Sequence, residues 1–323
     1  MTRGVRTLTL AAATVALLAG SIPAVAQTKL TIMVFAGMQN LPIFAAQAKG
    51  FFAKRGLEVD MKIAPNSDEL RNGLADGRFQ IVHAAADNSV AMVEMANVDA
   101  KIVIGGDDGM NRLFVQPEIG SVADLRGKTV AVDAPNTAYA FQLYEMLRLA
   151  GMEKDKDYKI AIVGATFKRA DALLADKTMA GTMLNPPFSL RAAKGGLKDL
   201  GEATKTIGPY QASAGFVLAT WGRANADTLT KYLSAYVEGM RWAADPKNKA
   251  EAVKLVADNL KMPEDIATAG YEALMTGMSK DAAFDMKGFE NVLALRARHT
   301  GKPTKPAADY IDLSYYQKAI AGM

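Results

Sequence analysis

The sequence predicts an α/β fold with two lobes, each a parallel-rich sheet flanked by helices, and a ligand cleft between them. Three observations carry this. Short apolar strand patterns alternate with helical patterns over residues 30–196, and such alternation implies parallel strands covered by helices. The order strand, helix, strand, helix, strand is written twice, with Leu74-Ala75-Asp76 and Leu174-Ala175-Asp176 marking the same place in each series. A helical tail then closes the chain.

Residues 1–26 read as a secretory leader. Arg3 and Arg6 precede the uncharged run Leu8–Ala19, Ser21-Ile22-Pro23 breaks it, and Ala24-Val25-Ala26 forms a small-x-small cleavage pattern before Gln27. The run is short of the ~20 apolar residues that span a bilayer. Cleavage leaves 323 − 26 = 297 residues and moves the balance from 38 − 34 = +4 to 36 − 34 = +2. The pI of about 9.0 therefore reflects a small excess of lysine over acid, not a nucleic-acid surface, because acids and lysines are interspersed and no basic run is interleaved with aromatics. Zero cysteines exclude disulfides, thiolate metal sites, a cysteine nucleophile and a lipid-modified cysteine anchor.

In order, Leu30–Phe35 is a β-rich run, and Gln39-Asn40-Leu41-Pro42 enters a helix that ends before Gly50 or Gly56. Leu57–Ile63 alternates apolar and charged residues, the pattern of a half-buried strand. Asn66 with Glu69 three residues on opens a helix through Leu70 and Leu74 as a capping box. Phe79–Ala84 is the next strand, Asp87 or Asn88 caps a helix through Met92 and Met95, and Lys101–Gly105 follows as a strand. The second series runs Lys128–Val132, a helix capped at Asn136-Thr137 and stopped by Gly151, Tyr158–Val163, the helix Arg169–Ala175, Ala180–Leu184, and the helix Phe188–Lys194 closed by Gly195-Gly196. Phe216–Thr220 is strand-like. Leu229, Tyr232, Leu233, Tyr236, Val237 and Met240 form one helical stripe, Ala250, Val253, Ala257 and Leu260 another, and Pro263 opens a third helix. Packed on the first lobe, this tail implies two crossings, near 110–119 and 208–219. The lobes are then 27–115 with 218–323, and 116–217.

Ligands in open α/β sheets bind beyond the carboxyl ends of the strands, where helix N-termini point. Those ends carry amides, hydroxyls, carboxylates and rings, which suits a small polar molecule with a planar part. The motifs of common nucleophile elbows, phosphate loops, dinucleotide folds and zinc helices are absent from the sequence. His83 is the one histidine near the cleft, at a position more typical of a packed residue than of a base.

The stretch Leu41-Pro42-Ile43-Phe44-Ala45-Ala46, then Lys49-Gly50-Phe51-Phe52, then Gly56-Leu57-Glu58-Val59 resembles the opening of the periplasmic substrate-binding proteins of ABC importers, in the group that takes sulfonates, nitrate, taurine and the thiamine-pyrimidine precursor. Asp124 to Val132 resembles that family's entry to its second lobe, and Asn185-Pro186-Pro187-Phe188 its loop after the Leu173-Leu174-Ala175-Asp176-Lys177 helix. The resemblance runs in order over residues 29–260. It implies the two-lobed type II-like binding-protein fold, hinge closure on a small molecule, an inner-membrane permease as partner, a monomer, no cofactor or metal, no catalysis, and a periplasmic location without a lipid anchor. By the same resemblance the ligand contacts fall at Gln39, Asn40, Leu41, Ser67, Asp87, Asn88, Asp107, Asn136, Thr137, Tyr139, Asn185 and Phe188.

Other readings stand beside these. Ser67, Asp87 and Asn136 also read as helix caps, Tyr139 and Phe188 as core, Asp107-Asp108-Gly109 as a turn, and Arg112 as an interlobe ion pair or an anion partner. Asp87, Asp107, Asp108 and Asp133 lie near strand ends, and a carboxylate turned inward favours an amine or heterocyclic N–H donor over a simple oxyanion. An enzyme of the pyrimidine-synthase type shares the fold, but its lysine and histidine four residues apart and its cysteine-rich motif are replaced here by His83, Asp87 and no cysteine. A ligand-presenting sensor partner is the third option.

Overall fold

The computed structural model describes Met1 and residues 27–323. The leader expected at 1–26 therefore lies outside the described residues from its second residue on. Among the described residues no helix is long and apolar enough to cross a membrane.

The first series is β1 (Thr28–Val34), α1 (Leu41–Ala48), β2 (Leu57–Ile63), α2 (Ser67–Ala75), β3 (Ile81–Ala85), α3 (Ala86–Ala96) and β4 (Ala100–Ile104). The second is β5 (Arg112–Val115), β6 (Thr129–Val132), α4 (Ala138–Leu149), β7 (Lys159–Ile162), α5 (Thr166–Ala175), β8 (Met179–Leu184), α6 (Phe188–Lys194), β9 (Lys198–Glu202) and α7 (Ala203–Ile207). The chain returns through β10 (Ser213–Leu218) and ends in α8 (Ala219–Ala224), α9 (Ala226–Ala244), α10 (Lys249–Leu260), α11 (Glu264–Gly277), α12 (Met286–Thr300) and α13 (Ser314–Ala321).

Two five-stranded sheets result, ordered β2-β1-β3-β10-β4 and β7-β6-β8-β5-β9. The orders are the same once β1, β2, β3 and β4 are matched with β6, β7, β8 and β9. The fourth place in each is held by the strand that arrives from the other lobe. It runs antiparallel to both neighbours, β10 against β3 and β4, β5 against β8 and β9, because it enters from the end where the other strands finish. The doubled plan is thus present in the topology. Leu74-Ala75-Asp76 and Leu174-Ala175-Asp176 fall at equivalent helix ends, with Asp76 and Asp176 as the closing residues. Lys62-Ile63 ends β2 whereas Lys159-Ile160 begins β7, so that short match joins corresponding strands at different positions.

The crossings shift the expected lobe limits by a few residues. Arg112–Val115 pairs in the second sheet and Ser213–Leu218 in the first, each joining the lobe it enters. β9 and α7 have no counterpart in the expected elements. The tail also differs. α9 packs its stripe on α1 as expected, with Leu229, Tyr232, Leu233, Tyr236, Val237 and Met240 all buried; each such side chain contributes roughly 1.5–3 kcal/mol. Gly239 lets the two helices touch, since a Cβ there would lie 2.2 Å from the Pro42 carbonyl oxygen. α12, however, spans both lobes. Its Arg296 pairs with Asp87 of α3, with Nη1 2.8 and 2.9 Å from the two carboxylate oxygens. Its Arg298 and His299 reach Glu145 of α4 at 2.7 and 3.0 Å. Lys194 of α6 likewise pairs with Asp265 of α11 at 3.0 Å.

Candidate functional site

A cavity of about 260 Å³ lies between the two sheets. It is built as the doubled topology requires, because the helix-entering ends of the strands in both sheets face each other across it. The first sheet contributes Phe35 and Gln39 after β1, Asn66, Ser67 and Asp68 after β2, His83, Ala84, Ala85 and Asn88 at β3, and Gly105, Asp107, Gly109 and Asn111 after β4. The second contributes Asp133, Thr137, Tyr139 and Gln142 after β6, Ile162, Thr166 and Arg169 after β7, and Asn185 after β8. The returning crossing adds Tyr210, Ala212 and Ser213, and α9 adds Tyr236.

Of the candidate residues, the structure brings Gln39, Ser67, Asn88, Asp107, Thr137, Tyr139 and Asn185 together at this cavity. The others lie elsewhere for identifiable reasons. Asn40 is fully buried and donates from Nδ2 to the Phe35 carbonyl at 2.7 Å. Leu41 is core, beside Met38 and Tyr271. Asp87 is not a cap: α3 begins at Ala86 without a side-chain cap, and Asp87 is buried against Arg296. Asn136 is exposed outside the cavity, and Thr137 caps α4, accepting from the Ala140 N–H at 3.4 Å. Phe188 packs against Phe167, ring centroids 6.4 Å apart. Asn66 rather than Ser67 caps α2, accepting from the Glu69 N–H at 2.8 Å. The reciprocal half of that capping box is missing, because the Glu69 carboxylate pairs with Arg78. Arg112 pairs with Asp199 and Glu202 of β9 within the second sheet, so it is neither an interlobe bridge nor an anion partner in the cleft.

Asp107 is a buried carboxyl of the cavity wall. It is 6% exposed. Its Oδ1 accepts from the Gly109 N–H at 2.7 Å and the Ser213 hydroxyl at 3.0 Å, and its backbone carbonyl accepts from the N–H groups of Ala212 and Ser213, both at 3.1 Å. It therefore ties the outgoing crossing to the returning one. Gly109 makes the turn possible: its φ is +85° and a Cβ would lie 2.6 Å from the Ala212 Cβ. Burial pushes the Asp107 carboxyl up to about 6, against the ordinary 3.8, despite the hydrogen bonds from Ser213 and Gly109 that favour its charge.

Four further groups were not among the candidates. Arg169 is 1% exposed. Its guanidinium donates to Thr182 Oγ1 (3.1 Å) and to the carbonyls of Gly164 (2.7 Å) and Met183 (3.1 Å), with Thr166 Oγ1 at 3.3 Å. It lies 5.1 Å from the Tyr139 ring centroid. These partners are uncharged, and burial lowers its proton affinity. His83 holds Tyr232 Oη 3.0 Å from Nε2 and stacks on Tyr236 at 4.6 Å. Burial pushes its pKa down to about 3, so the ring is neutral. Tyr210 and Tyr236 add buried phenols whose ionisation is suppressed by burial. Local patterns hide three of them: Arg169 and Tyr236 sit in helices whose stripes read as ordinary, and Tyr210 lies in an unpatterned segment, whereas His83 reads from the sequence as a packed residue near the cleft. Asn111 Nδ2 donates to Gln142 Oε1 at 2.9 Å, joining the outgoing crossing to α4.

The profile of the NMT1-like family matches residues 24–257. The chain belongs to the NMT1-like family. A protein of Brachyspira hyodysenteriae (strain ATCC 49526 / WA1), provisionally named an ABC transporter periplasmic binding protein, is 24% identical over 243 residues, 69% of this chain and 68% of its own. Among solved structures, the periplasmic nitrate-binding protein NrtA of Synechocystis PCC 6803 superposes with a TM-score of 0.77 at 14% identity, covering 92% of this chain and 89% of that one. The desulfurization enzyme DszB superposes at 0.66 and 14% identity, covering 90% and 99%. Both structural likenesses show the periplasmic binding-protein fold of this family member.

Proposed function

We propose that this NMT1-like chain is the periplasmic solute-binding component of an ABC importer. In this reading it is exported by cleavage of a leader after Ala26, works as a monomer, closes on a small polar solute and hands it to a membrane permease. The observation that carries the reading is the cavity itself. It draws on the strand ends of both sheets and is bordered by both interlobe crossings, so a hinge motion at residues 105–111 and 208–213 would enclose whatever sits there. The Brachyspira relative and NrtA are named for binding in transport.

DszB keeps catalysis on the same fold in view. A binding role fits this cavity better, because its histidine is already committed through Nε2 to Tyr232 and stacked on Tyr236, and a general base needs a free nitrogen of suitable pKa near 7.

The test is a thermal-shift screen of the purified chain against a broad solute library. Small-angle scattering of any hit then reads closure. A true ligand at 100 times its Kd adds about 2.7 kcal/mol of stability and makes the particle more compact. Turnover of a compound without saturable binding would replace this reading with an enzymatic one.

A further inference from the structure

Behind the outgoing crossing, on the side away from the cleft, lies a second crevice of about 400 Å³. α6 and β9 of the second lobe wall it on one side, and α11, from the tail that covers the first lobe, walls it on the other. Asp108, Met110 and Arg112 of the crossing complete it, and it shares no lining residue with the cleft. A concave space between two lobes, largely apolar with a few convergent polar groups, is a usual setting for a ligand.

Its charges do not balance. Arg112 is shared between Asp199 and Glu202, so the lining has no cation left for Asp108. Asp108 Oδ1 accepts from the Met110 N–H at 3.0 Å, and its own N–H donates to the Gly277 carbonyl at 3.1 Å. Oδ2 is bonded to no other residue among those described. Gly277 makes room for this carboxylate, since a Cβ there would lie 2.5 Å from Asp108 Oδ1. Burial and the neighbouring Glu202 raise the Asp108 pKa, against the Met110 N–H and the more distant Lys205, which is not part of the lining. A second observation comes from α6. Ser189 is 2% exposed, its Oγ is buried without a hydrogen-bond partner, and it lines the same crevice. A carboxylate without a cation and a hydroxyl without a partner thus border one space, whose remaining wall includes Met110, Phe114, Pro186 and Leu190.

One chemistry answers all of this. A primary ammonium brings three donors and a positive charge, which a partly desolvated carboxylate favours. A hydrocarbon stem covers the apolar wall. An oxyanion would meet a surplus of acid, and an uncharged hydrocarbon would leave Asp108 and Ser189 as they are. We propose that the crevice behind the hinge is a second ligand site, separate from the cleft, that takes a small primary alkylammonium with its head on Asp108 Oδ2 and its stem against Met110 and Leu190. Its occupant touches the helical tail on one side and the second lobe on the other.

Calorimetric titration of the purified chain at pH 7.5 with n-hexylamine, against ammonium chloride, hexanol and hexanoate, tests this. The expected result is saturable binding of hexylamine, at least tenfold tighter than any of the other three. Asp108→Asn removes the charge while keeping an Oδ1 acceptor for Met110, and Ala273→Phe fills the crevice from α11. Each should lose at least tenfold in hexylamine affinity. Asp133→Asn, on the far side of the cleft with its Oδ1 bond to Thr137 kept, should stay within twofold of the wild type. Absence of saturable hexylamine binding, hexanoate bound as tightly as the amine, unchanged affinity in either crevice variant, or a tenfold loss in Asp133→Asn, which would put the amine in the cleft, would each overturn the inference. Melting temperatures of the unliganded variants report the fold, and if one crevice variant does not fold the other decides. The site does not depend on what the cleft holds, so its failure leaves the solute-binding reading intact.

Discussion

Replacing Asp107 by Asn should make the unliganded protein more stable at neutral and alkaline pH. The wild-type carboxyl titrates at about 6 in the fold against an ordinary 3.8. Since each pKa unit is worth roughly 1.4 kcal/mol, the difference corresponds to roughly 3 kcal/mol. The sign follows from the direction of the rise. The folded state holds the proton more tightly than the unfolded chain, so this contribution to stability is complete below about pH 4. It is lost as pH rises through about 6, after which the fold carries a buried charge. Asparagine keeps an Oδ1 acceptor for the Gly109 N–H and the Ser213 hydroxyl and never ionises. Its hydrogen bonds are weaker than those to a carboxylate, which trims the gain to about 1–3 kcal/mol at pH 8.

For a chain of this size that corresponds to a rise in Tm of about 2–6 °C. Thermal and urea unfolding of both proteins at pH 3.5, 5 and 8 reads the effect. The gap should be near zero at pH 3.5, reach about half its full size at pH 5 and be complete by pH 8. A variant that is equally or less stable at pH 8, or a gap that does not change between pH 5 and 8, would refute the idea that Asp107 is held as a strained buried acid. A gain in stability paired with loss of ligand affinity is the signature of a residue kept for function against the interest of the fold.

Asp87→Ala should cost about 3–5 kcal/mol, because it strands the buried Arg296 guanidinium; urea unfolding checks it, and ligand affinity per folded molecule should stay within twofold. Glu145 is drawn down to about 2 by Arg148 and Arg298 against the cost of burial, so its contribution is present above about pH 4.5 and lost as pH falls toward 2. With both arginine side chains 46% exposed, screening leaves about 1–2 kcal/mol, and Glu145→Gln should lose that amount at pH 7 but little at pH 2.5. Asn185→Ala should weaken ligand binding with little change in Tm, since Asn185 lines the cavity, whereas Asn136→Ala, exposed and outside it, should leave titrations unchanged.

The strands that were legible are those whose two faces differ. Leu57–Ile63 alternates and was bounded correctly from pattern alone, and α6 is bounded by Gly195 as its glycines suggested. β9, Lys-Asp-Leu-Gly-Glu, has no apolar alternation because it is a partly exposed edge strand, so nothing local marks it. The candidate site was legible where function follows topology: polar residues just past strand ends reach the cavity because the fold aims those ends at it. It was illegible where the outcome depends on distant partners. Asp87 and Asp107 both follow strands of the first sheet, yet one is withdrawn by Arg296, 209 residues away in sequence, and the other is pinned at the cavity by Ser213, 106 residues away. Tyr236 reads as one more member of a core stripe, and only the packing of α9 behind β3 brings it against His83.

Along the outgoing crossing the residues alternate between two spaces. Asp107, Gly109 and Asn111 face the ligand cavity, whereas Asp108, Met110 and Arg112 face a second crevice of about 400 Å³, bounded by α6, β9 and α11. The backbone reaches both sides by turning, with positive φ at Gly109 and Met110, so this one short segment is both a wall of the cleft and a wall of the space behind it. α11 meets α6 across that space through Asp265 and Lys194, and α12 meets α4 through Glu145. Rotation that narrows the cleft about this segment must therefore rearrange contacts that the helical tail makes with the second lobe. The tail thus belongs to the moving parts as well as to the first lobe's cover, and the exposed Lys194–Asp265 pair, worth little by itself, is suited to that place because it can be exchanged at low cost. The buried pair between Asp87 and Arg296 joins α12 to the first lobe instead, where nothing has to slide.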